Sequence, residues 1–329
     1  MRFSIALATF NGARFLADQL ESFRAQHLLP SELVVCDDGS TDGTLELLHQ
    51  FALNAPFPVR VERNERRLGV SDNFFRAASL CQYDWILYSD QDDVWLPEKL
   101  LGISQAGSRH PSALLVAHQA IVVDDRLNQT GDRLNVPSVS RPTLVRARSL
   151  RVWHPPLGFT IGFDARLVRD FPVHSRPITP HDRWTFVLAT SVGDVLFLPQ
   201  PLALYRRHAS NLTQFTPTVP LVRSLRQPGN AGAFLEEGEV IRQVSEYFDR
   251  CQQAAGPWRG AVEQARYLYS RQAAMLLTRA QLCRSGSGLL RRASTYVRML
   301  LIGAYGRNSR GGLGWRAGVK DLVRVLLAP

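Results

Sequence analysis

Two groups of carboxylates carry the chemistry this chain can do: Asp37-Asp38 and, further on, Asp90-Gln91-Asp92-Asp93. Carboxylates held together repel one another unless a cation or a proton sits between them. A hard divalent cation such as Mg²⁺ or Mn²⁺ takes carboxylate oxygens and shares its other positions with phosphate. The D-x-D pair Asp90 and Asp92 follows a short apolar run and precedes Trp95-Leu96-Pro97, which favours a metal-phosphate role over solvated turn residues; Asp93 competes with Asp92 as the ligand. Asp42 and Asp72 read as turn or cap residues. Asp182 follows Pro180 at an expected helix start, where amide N–H groups and the helix dipole favour a charged carboxylate. That placement suits a general base and also suits a plain helix cap. His208, in Tyr205-Arg206-Arg207-His208, is either a metal ligand or a locally bonded histidine, and arginines beside it can meet phosphate oxygens in bidentate fashion.

The elements that must position these residues follow from hydrophobic period. Phe3–Thr9 is a compact apolar run that stops at the Asn11-Gly12 turn, and Leu16, Leu20 and Phe23 then share a helical face. Leu33–Cys36 predicts a second strand, ended by Asp37-Asp38-Gly39-Ser40, with Ser40 or Thr41 expected to cap the next helix. That helix turns Leu45, Leu48 and Phe51 or Ala52 inward. Val59–Val61 predicts a third strand, Val70–Cys81 a third helix, Trp85–Tyr88 a fourth strand and Leu114–Val123 another. Alternation of strand and helix implies a mainly parallel sheet with helices on both faces, whose ligands bind beyond the carboxyl ends of the strands. Thr9-Phe10-Asn11, Asp37-Asp38 and Asp90–Asp93 all fall at those ends. Asp125 to Pro156 reads as an irregular excursion, Val195–Leu198 and Ala203–Arg206 as two strand-like runs, and 234–305 as helices. In the last of these Leu290, Val297 and Leu301 share a face with Arg291, Arg292 and Arg298 interspersed.

Composition bounds the answer. The 329 residues are 45% hydrophobic, enough for one large α/β domain and an appendage. The formal charge is +10, with 39 basic and 29 acidic residues. Pro257 to Pro329 alone holds 13 Lys and Arg against Glu263 and Asp321, leaving 26 basic and 27 acidic residues in 1–256. The basic excess therefore belongs to the tail, which suits contact with something anionic. No aromatic-basic motif of an RNA-binding module accompanies that charge, so no nucleic-acid partner is expected. Cys36, Cys81, Cys251 and Cys283 have no zinc or C-x-x-C spacing and read as reduced thiols of a cytosolic protein. The first residues do not read as a signal peptide, and no run is long enough to span a membrane.

The stretches "ALATFNGARFLADQLESFRAQ", "ELVVCDDGSTDGT", "NERRLGVSDNF", "WILYSDQDDVW", "LGFTIGFD", "HDRW" and "LYRRHASN" together resemble inverting family-2 glycosyltransferases of GT-A fold, and among them bacterial rhamnosyltransferases of polysaccharide assembly. They run in the family's order through about two-thirds of the chain and stop near Thr213. The resemblance implies an α/β fold with a nucleotide-binding sheet flanked by helices and a C-terminal helical tail. It implies a catalytic domain over 1–213, with nucleotide-sugar binding in 1–125 and the acceptor and base part in 126–213, and a basic helical region over 214–329.

Carried over residue by residue, Thr9 and Asn11 line the nucleotide pocket and Asp38 accepts from the base or ribose, with Asp37 either assisting or capping. Gly69 and Asn73 belong to the segment that closes over the base. Asp90 approaches ribose or metal, Asp92 ligates Mg²⁺ or Mn²⁺ and His208 is a further candidate ligand. Gly158 and Thr160 floor the sugar site, Arg206 meets phosphate and Asp182 is the base, with His181 supporting it or serving as a loop residue. Trp95 and Trp153 either stack on sugar or are buried. The resemblance further implies a nucleotide-sugar donor, L-rhamnose from dTDP-rhamnose or alternatively a UDP-hexose, and a saccharide or polyprenyl-linked saccharide acceptor. A peripheral position on the inner membrane face through the basic helices, and an oligomer, are compatible with it. Two departures stand out: Ala8 replaces the family's usual proline, and His181-Asp182 replaces its commoner acidic pair.

Rival readings are weaker. A haloacid-dehalogenase-like phosphohydrolase needs Gly-Thr after its D-x-D and a downstream lysine, but Asp93-Val94 follows here and only Lys99 and Lys320 exist. A dinucleotide-binding oxidoreductase needs G-x-G-x-x-G where the first turn has only Gly12. A non-catalytic nucleotide-sugar-binding protein would lack Asp92 or Asp182, and both are present.

Overall fold

The computed structural model describes residues 1–134, 139–145, 155–178, 180–209, 211, 231–251, 256–283, 288–306 and 315–327. By contacts the chain divides into two compact units. The first is built from Met1–Ala147, Val152–His174 and Thr179–Gln214, and the second from Arg148–Arg151, Ser175–Ile178 and Phe215–Pro329.

In the first unit β1 (Phe3–Thr9), β2 (Glu32–Asp37), β3 (Val59–Arg63) and β4 (Trp85–Ser89) pair in parallel in the order β3-β2-β1-β4. The crossovers are α1 (Ala13–Arg24), α2 (Thr44–Asn54) and α3 (Val70–Leu80). The expected face of α1 is the one that packs inward, with Leu16, Leu20 and Phe23 all buried. β1, β2 and β4 are buried along almost their whole length, as strands covered on both faces must be.

Beyond β4 the sheet becomes mixed. β5 (Val94–Trp95), β6 (Ala113–Val123), β9 (Ile161–Asp164) and β10 (Asp194–Arg206) complete the order β4-β9-β6-β10-β5, with β9 antiparallel to both neighbours and β6 parallel to β10. The parallel expectation thus describes the first four strands rather than the whole sheet. β10 is one long strand where two were read. Its register against β6 shifts between Phe197 and Ala203, and Pro199 and Pro201 lie at that irregularity. The excursion after Asp125 holds two short strands, β7 (Gln129–Arg133) on β6 and β8 (Thr143–Val145) on β10. Three helices, α4 (Lys99–Arg109), α5 (Arg166–Arg169) and α6 (His181–Val192), complete the unit. The apolar run Trp184–Thr190 is the buried interior of α6.

The second unit contributes α7 (Ala231–Cys251), α8 (Arg259–Leu282), α9 (Leu289–Leu301) and α10 (Trp315–Leu327). α7 and α8 pack through Ile241, Val244, Tyr247 and Phe248 on one side and Val262, Tyr269 and Leu276 on the other, all buried. Tyr269 stacks on Phe248 with ring centroids 5.8 Å apart. No described helix is long and apolar enough to cross a membrane.

Candidate active site

The turn after β1 begins the site. Asn11 sits at φ 47°, a left-handed position that Asn tolerates better than most residues. Its amide donates to Ser40 Oγ at 2.9 Å, and its Oδ1 accepts from Thr41 N at 2.9 Å. Ser40 and Thr41 therefore tie two loops together, and the expected side-chain cap on α2 is absent; Gly43 occupies the cap position. Asp37 accepts from Thr9 Oγ1 at 2.9 Å and from the amides of Gly39 and Ser40 at 3.1 and 2.8 Å. Its carboxylate oxygens are taken up by the turn it organises, and it caps no helix, since α2 starts only at Thr44.

Asp38 does similar work one residue on. Its oxygens accept from Asn64 Nδ2 (2.8 Å), Leu68 N (2.6 Å) and Gly69 N (2.8 Å). These bonds draw the segment before α3 over the ends of β1 and β2. Gly69 has φ 81°, which a side chain would strain, and it starts α3. Asn73 is buried and joins the same network, donating to Cys36 O at 2.8 Å and accepting from Asn64 Nδ2 at 2.8 Å. Arg67 lies over the Phe10 ring, 3.8 Å from its centroid and 4.0 Å from Asp38.

The loop Asp90–Asp93 connects β4 to β5. Gln91 fastens it to the first turn through paired bonds with Phe10, whose N–H donates to Oε1 at 2.9 Å and whose carbonyl accepts from Nε2 at 3.1 Å. Asp92 Oδ2 lies 2.8 Å from His208 Nε2. Burial and the carboxylates of Asp92 and Asp182 push Asp90 up to about 8, against the opposing pull of Lys99. Asp93 is buried, accepts from Arg206 N at 3.1 Å, and is pushed well above the ordinary range by burial and its two acidic neighbours. Its place is behind the loop, whereas Asp92 meets His208.

Arg206 was expected to meet phosphate, but its side chain braces this loop. Nε donates to Asp92 O (2.9 Å), Nη1 to Asp125 O (3.0 Å) and Nη2 to Asp18 Oδ2 (2.7 Å), with the guanidinium over the Phe15 ring. Only 3% of this side chain is exposed, and each of its three nitrogens makes a bond in place. His208 lies against the same Phe15 ring, centroids 4.7 Å apart.

Asp182 stands on the first turn of α6. It accepts from Gly158 N at 3.1 Å and from Arg183 N at 2.6 Å. Burial raises its pKa above 3.8, and those backbone bonds oppose the rise. His181 is buried, stacked on Phe74 at 3.9 Å and edge-on to Tyr88 at 4.7 Å. It is a core residue of the helix start rather than a loop histidine. Gly158 lies so close that an added Cβ would meet His181 Nε2 at 2.6 Å. Thr160 is buried and donates to Leu157 O at 2.7 Å.

Several organising roles are not visible in the sequence, which offers Ser40 only as a cap for α2. Gln91, Ser40 and Asn64 make the loop-to-loop bonds above. Lys99 is fully buried, donates to Phe159 O at 2.6 Å, and lies 3.7 Å from the Trp95 ring centroid. Burial holds its pKa well below the ordinary lysine range, with Asp93 and Asp90 pulling it back up. Trp95 itself is core, 2% exposed and edge-on to Phe23. Trp153 lies outside the described residues.

A divalent cation fits this donor set. Asp92 and His208 supply one carboxylate and one imidazole at contact distance, and Asp90 is a carboxylate in the same loop. Among the described residues no three His, Cys, Asp or Glu side chains converge as a complete metal cage. Mg²⁺ and Mn²⁺ sites commonly use one or two protein ligands and leave the rest to water and substrate phosphate.

The family described as Glycosyl transferase family 2 matches residues 4–169. An uncharacterized protein of Mycobacterium bovis is 26% identical over 219 residues, 64% of this chain and 60% of that protein. The dTDP-rhamnosyl transferase RfbG of Shigella flexneri is 34% identical over 98 residues, 29% of this chain and 34% of RfbG. The chain thus spans about 60% or less of the length of these relatives. Among solved structures, S. aureus TarS 1–349 aligns over 98% of this chain and 91% of its own, with TM-score 0.56 and 15% identity. The fold is that of the GT-A glycosyltransferases, and the chain belongs to glycosyl transferase family 2.

Proposed function

We propose that this protein is an inverting glycosyltransferase that moves a sugar, L-rhamnose from dTDP-rhamnose, onto a saccharide or lipid-linked saccharide of a cell-surface polysaccharide. What supports this reading is a pair of carboxylate groups, one in the loop after β4, where Asp92 meets His208 at 2.8 Å, and one at the start of α6, where Asp182 acts on Asp90. Asp92 with His208 provides a donor-phosphate side, and Asp182, close enough to raise the pKa of Asp90, provides an acceptor side. The rhamnose assignment is supported by the 34% identity to RfbG. Residues 1–213 are taken as the catalytic part and 214–329 as a basic helical region that keeps the enzyme at the inner membrane face.

In this reading the turn at Thr9 and Asn11, the Asp38-organised segment through Gly69 and Asn73, and Asp90 enclose the nucleotide. A Mg²⁺ or Mn²⁺ held by Asp92 and His208 would neutralise charge on the departing diphosphate. The acceptor hydroxyl oxygen attacks the anomeric carbon from the face opposite the phosphate. The anomeric C–O bond breaks with its electron pair leaving on the nucleoside diphosphate, and the hydroxyl proton passes to the Asp182 carboxylate. Gly158 N–H holds that carboxylate, and His181, locked between Phe74 and Tyr88, fixes the start of α6. Arg206 and Gln91 hold the Asp90–Asp93 loop in place so that little reorganisation accompanies the reaction.

Donor binding tests the first half of this proposal. Melting temperature is measured with dTDP, UDP and GDP, with and without Mn²⁺ or Mg²⁺, for the wild type and Asp92→Asn. The expected result is metal-dependent stabilisation by dTDP above the other two, lost in the variant. A metal-dependent shift with UDP alone replaces the donor, and no shift with any nucleotide removes the donor site.

A further inference from the structure

Residues 284–329 contain nine Lys and Arg residues and a single acid, Asp321. That acid is fully buried, accepting from Arg279 Nε at 2.8 Å and from the Tyr305 hydroxyl at 3.1 Å. No solvent-facing acid therefore offsets the basic residues of this stretch.

The two helices of this stretch also turn their apolar residues outward. On α9, Leu289, Leu290, Val297, Leu300 and Leu301 are all exposed, Leu290 to 87% and Leu301 to 82%. At about 100° per residue these five fall within one sector of roughly 120°. Arg291 and Arg298, both exposed, lie about 60–80° past one edge of that sector. Met299 and Arg292, a similar angle past the other edge, are the buried residues of the helix. α10 repeats the plan: Trp315, Val319 and Leu322 are exposed along one side, Val325 and Asp321 are buried on the other, and Arg316 lies over the Trp315 ring at 5.6 Å. A helix kept in water carries polar residues on its outer face. An outward apolar sector bordered by arginine is the pattern of a helix lying in a lipid interface.

We propose that α9 and α10 dock on an anionic lipid surface, their apolar sectors in the acyl boundary and their arginines among the headgroups. Charge decides between this occupant and a second copy of the chain. Two copies meeting through these faces would bring exposed arginine against exposed arginine, whereas anionic headgroups complement the exposed Arg291, Arg298 and Arg316. The inference deepens the membrane location in the proposed function and is independent of the donor site.

Flotation of the full-length protein with vesicles tests it, using phosphatidylcholine alone and phosphatidylcholine mixed with phosphatidylglycerol, at low and high salt and without nucleotide. Two double variants at exposed positions accompany the wild type, Leu290→Gln with Leu301→Gln and Arg291→Gln with Arg298→Gln, each checked for an unchanged melting temperature. The wild type is expected to float with the mixed vesicles and to be released by salt. Since each basic residue near such a surface is worth about fivefold in binding, the arginine variant should bind roughly 25-fold more weakly. The leucine variant should lose binding to a similar or greater degree. Equal binding to both vesicle types, or no binding to either, overturns the proposal. So does a wild-type dimer that the leucine variant splits, or retention on duplex DNA, without vesicle binding. Because nucleotide is absent, failure here leaves the donor-site reading standing, and failure of dTDP to bind leaves this one standing.

Discussion

Asp182 accepts two backbone N–H bonds, yet burial still holds its carboxyl above the ordinary range. A general base works only when deprotonated, so activity should rise with pH through the Asp182 pKa. Its raised value places that acid limb on the alkaline side of 3.8. Asp182→Asn should lower kcat by about 10²–10⁴-fold and flatten the limb, with donor affinity unchanged. Steady-state kinetics across pH checks this, and an unchanged limb in the variant removes Asp182 from the role. On the phosphate side, His208→Ala should weaken Mn²⁺-dependent donor binding at least about tenfold, read by calorimetry with and without the metal. Equal affinities would assign His208 to holding Asp92 alone. The carboxylates were legible as chemistry because like charges at strand ends demand an explanation. Their division of labour was not legible. Asp37 and Asp93 differ from Asp38 and Asp92 only in what the folded chain places beside them.

At the level of elements, two tight fits link helices to the site. Gly158 has no room for a methyl group, its Cβ position falling 2.6 Å from His181 Nε2. Gly158→Ala should therefore shift the Asp182-bearing end of α6 and cost about 1–3 kcal/mol, read by chemical denaturation. A neutral result would mean His181 yields without disturbing the helix. Lys99, at the start of α4, faces the buried Asp93 and Asp90 and donates to Phe159 O. Lys99→Met leaves the buried Phe159 carbonyl without its donor, and a loss of about 1–3 kcal/mol is expected, read by chemical denaturation. Equal stability would show that Phe159 O finds another partner. Hydrophobic period revealed α1, α3 and the first four strands because each buries one stripe or both faces. It missed the continuity of β10, since Pro199 and Pro201 look like breaks although the strand carries a register shift there. It also missed β7 and β8, short strands whose formation depends on the edges they join.

For the whole molecule, charge and pattern divide as the contacts do. The nearly neutral first part contains every candidate site residue, and the arginine-rich helices belong to the second unit. Alternating strands and helices indicated a mainly parallel sheet with its acids at the strand ends, and the GT-A fold was implied by the resemblance of the ordered motifs to family-2 glycosyltransferases. Gln91, Ser40, Asn64 and Lys99 could not be read from it: their partners are loops distant in sequence, and polar residues of these types are common at surfaces. The outward turn of the α9 apolar face was equally hidden, since periodicity shows that a stripe exists and not which way it faces.

The central claim is that the Asp92–His208 and Asp182 groups together break a nucleotide-sugar bond. The most direct measurement is release of dTDP from dTDP-rhamnose by the purified full-length protein with Mn²⁺, for wild type, Asp92→Asn and Asp182→Asn. We expect metal-stimulated release by the wild type, loss in both variants, and retained dTDP binding in Asp182→Asn. Release by Asp182→Asn at the wild-type rate would contradict the account.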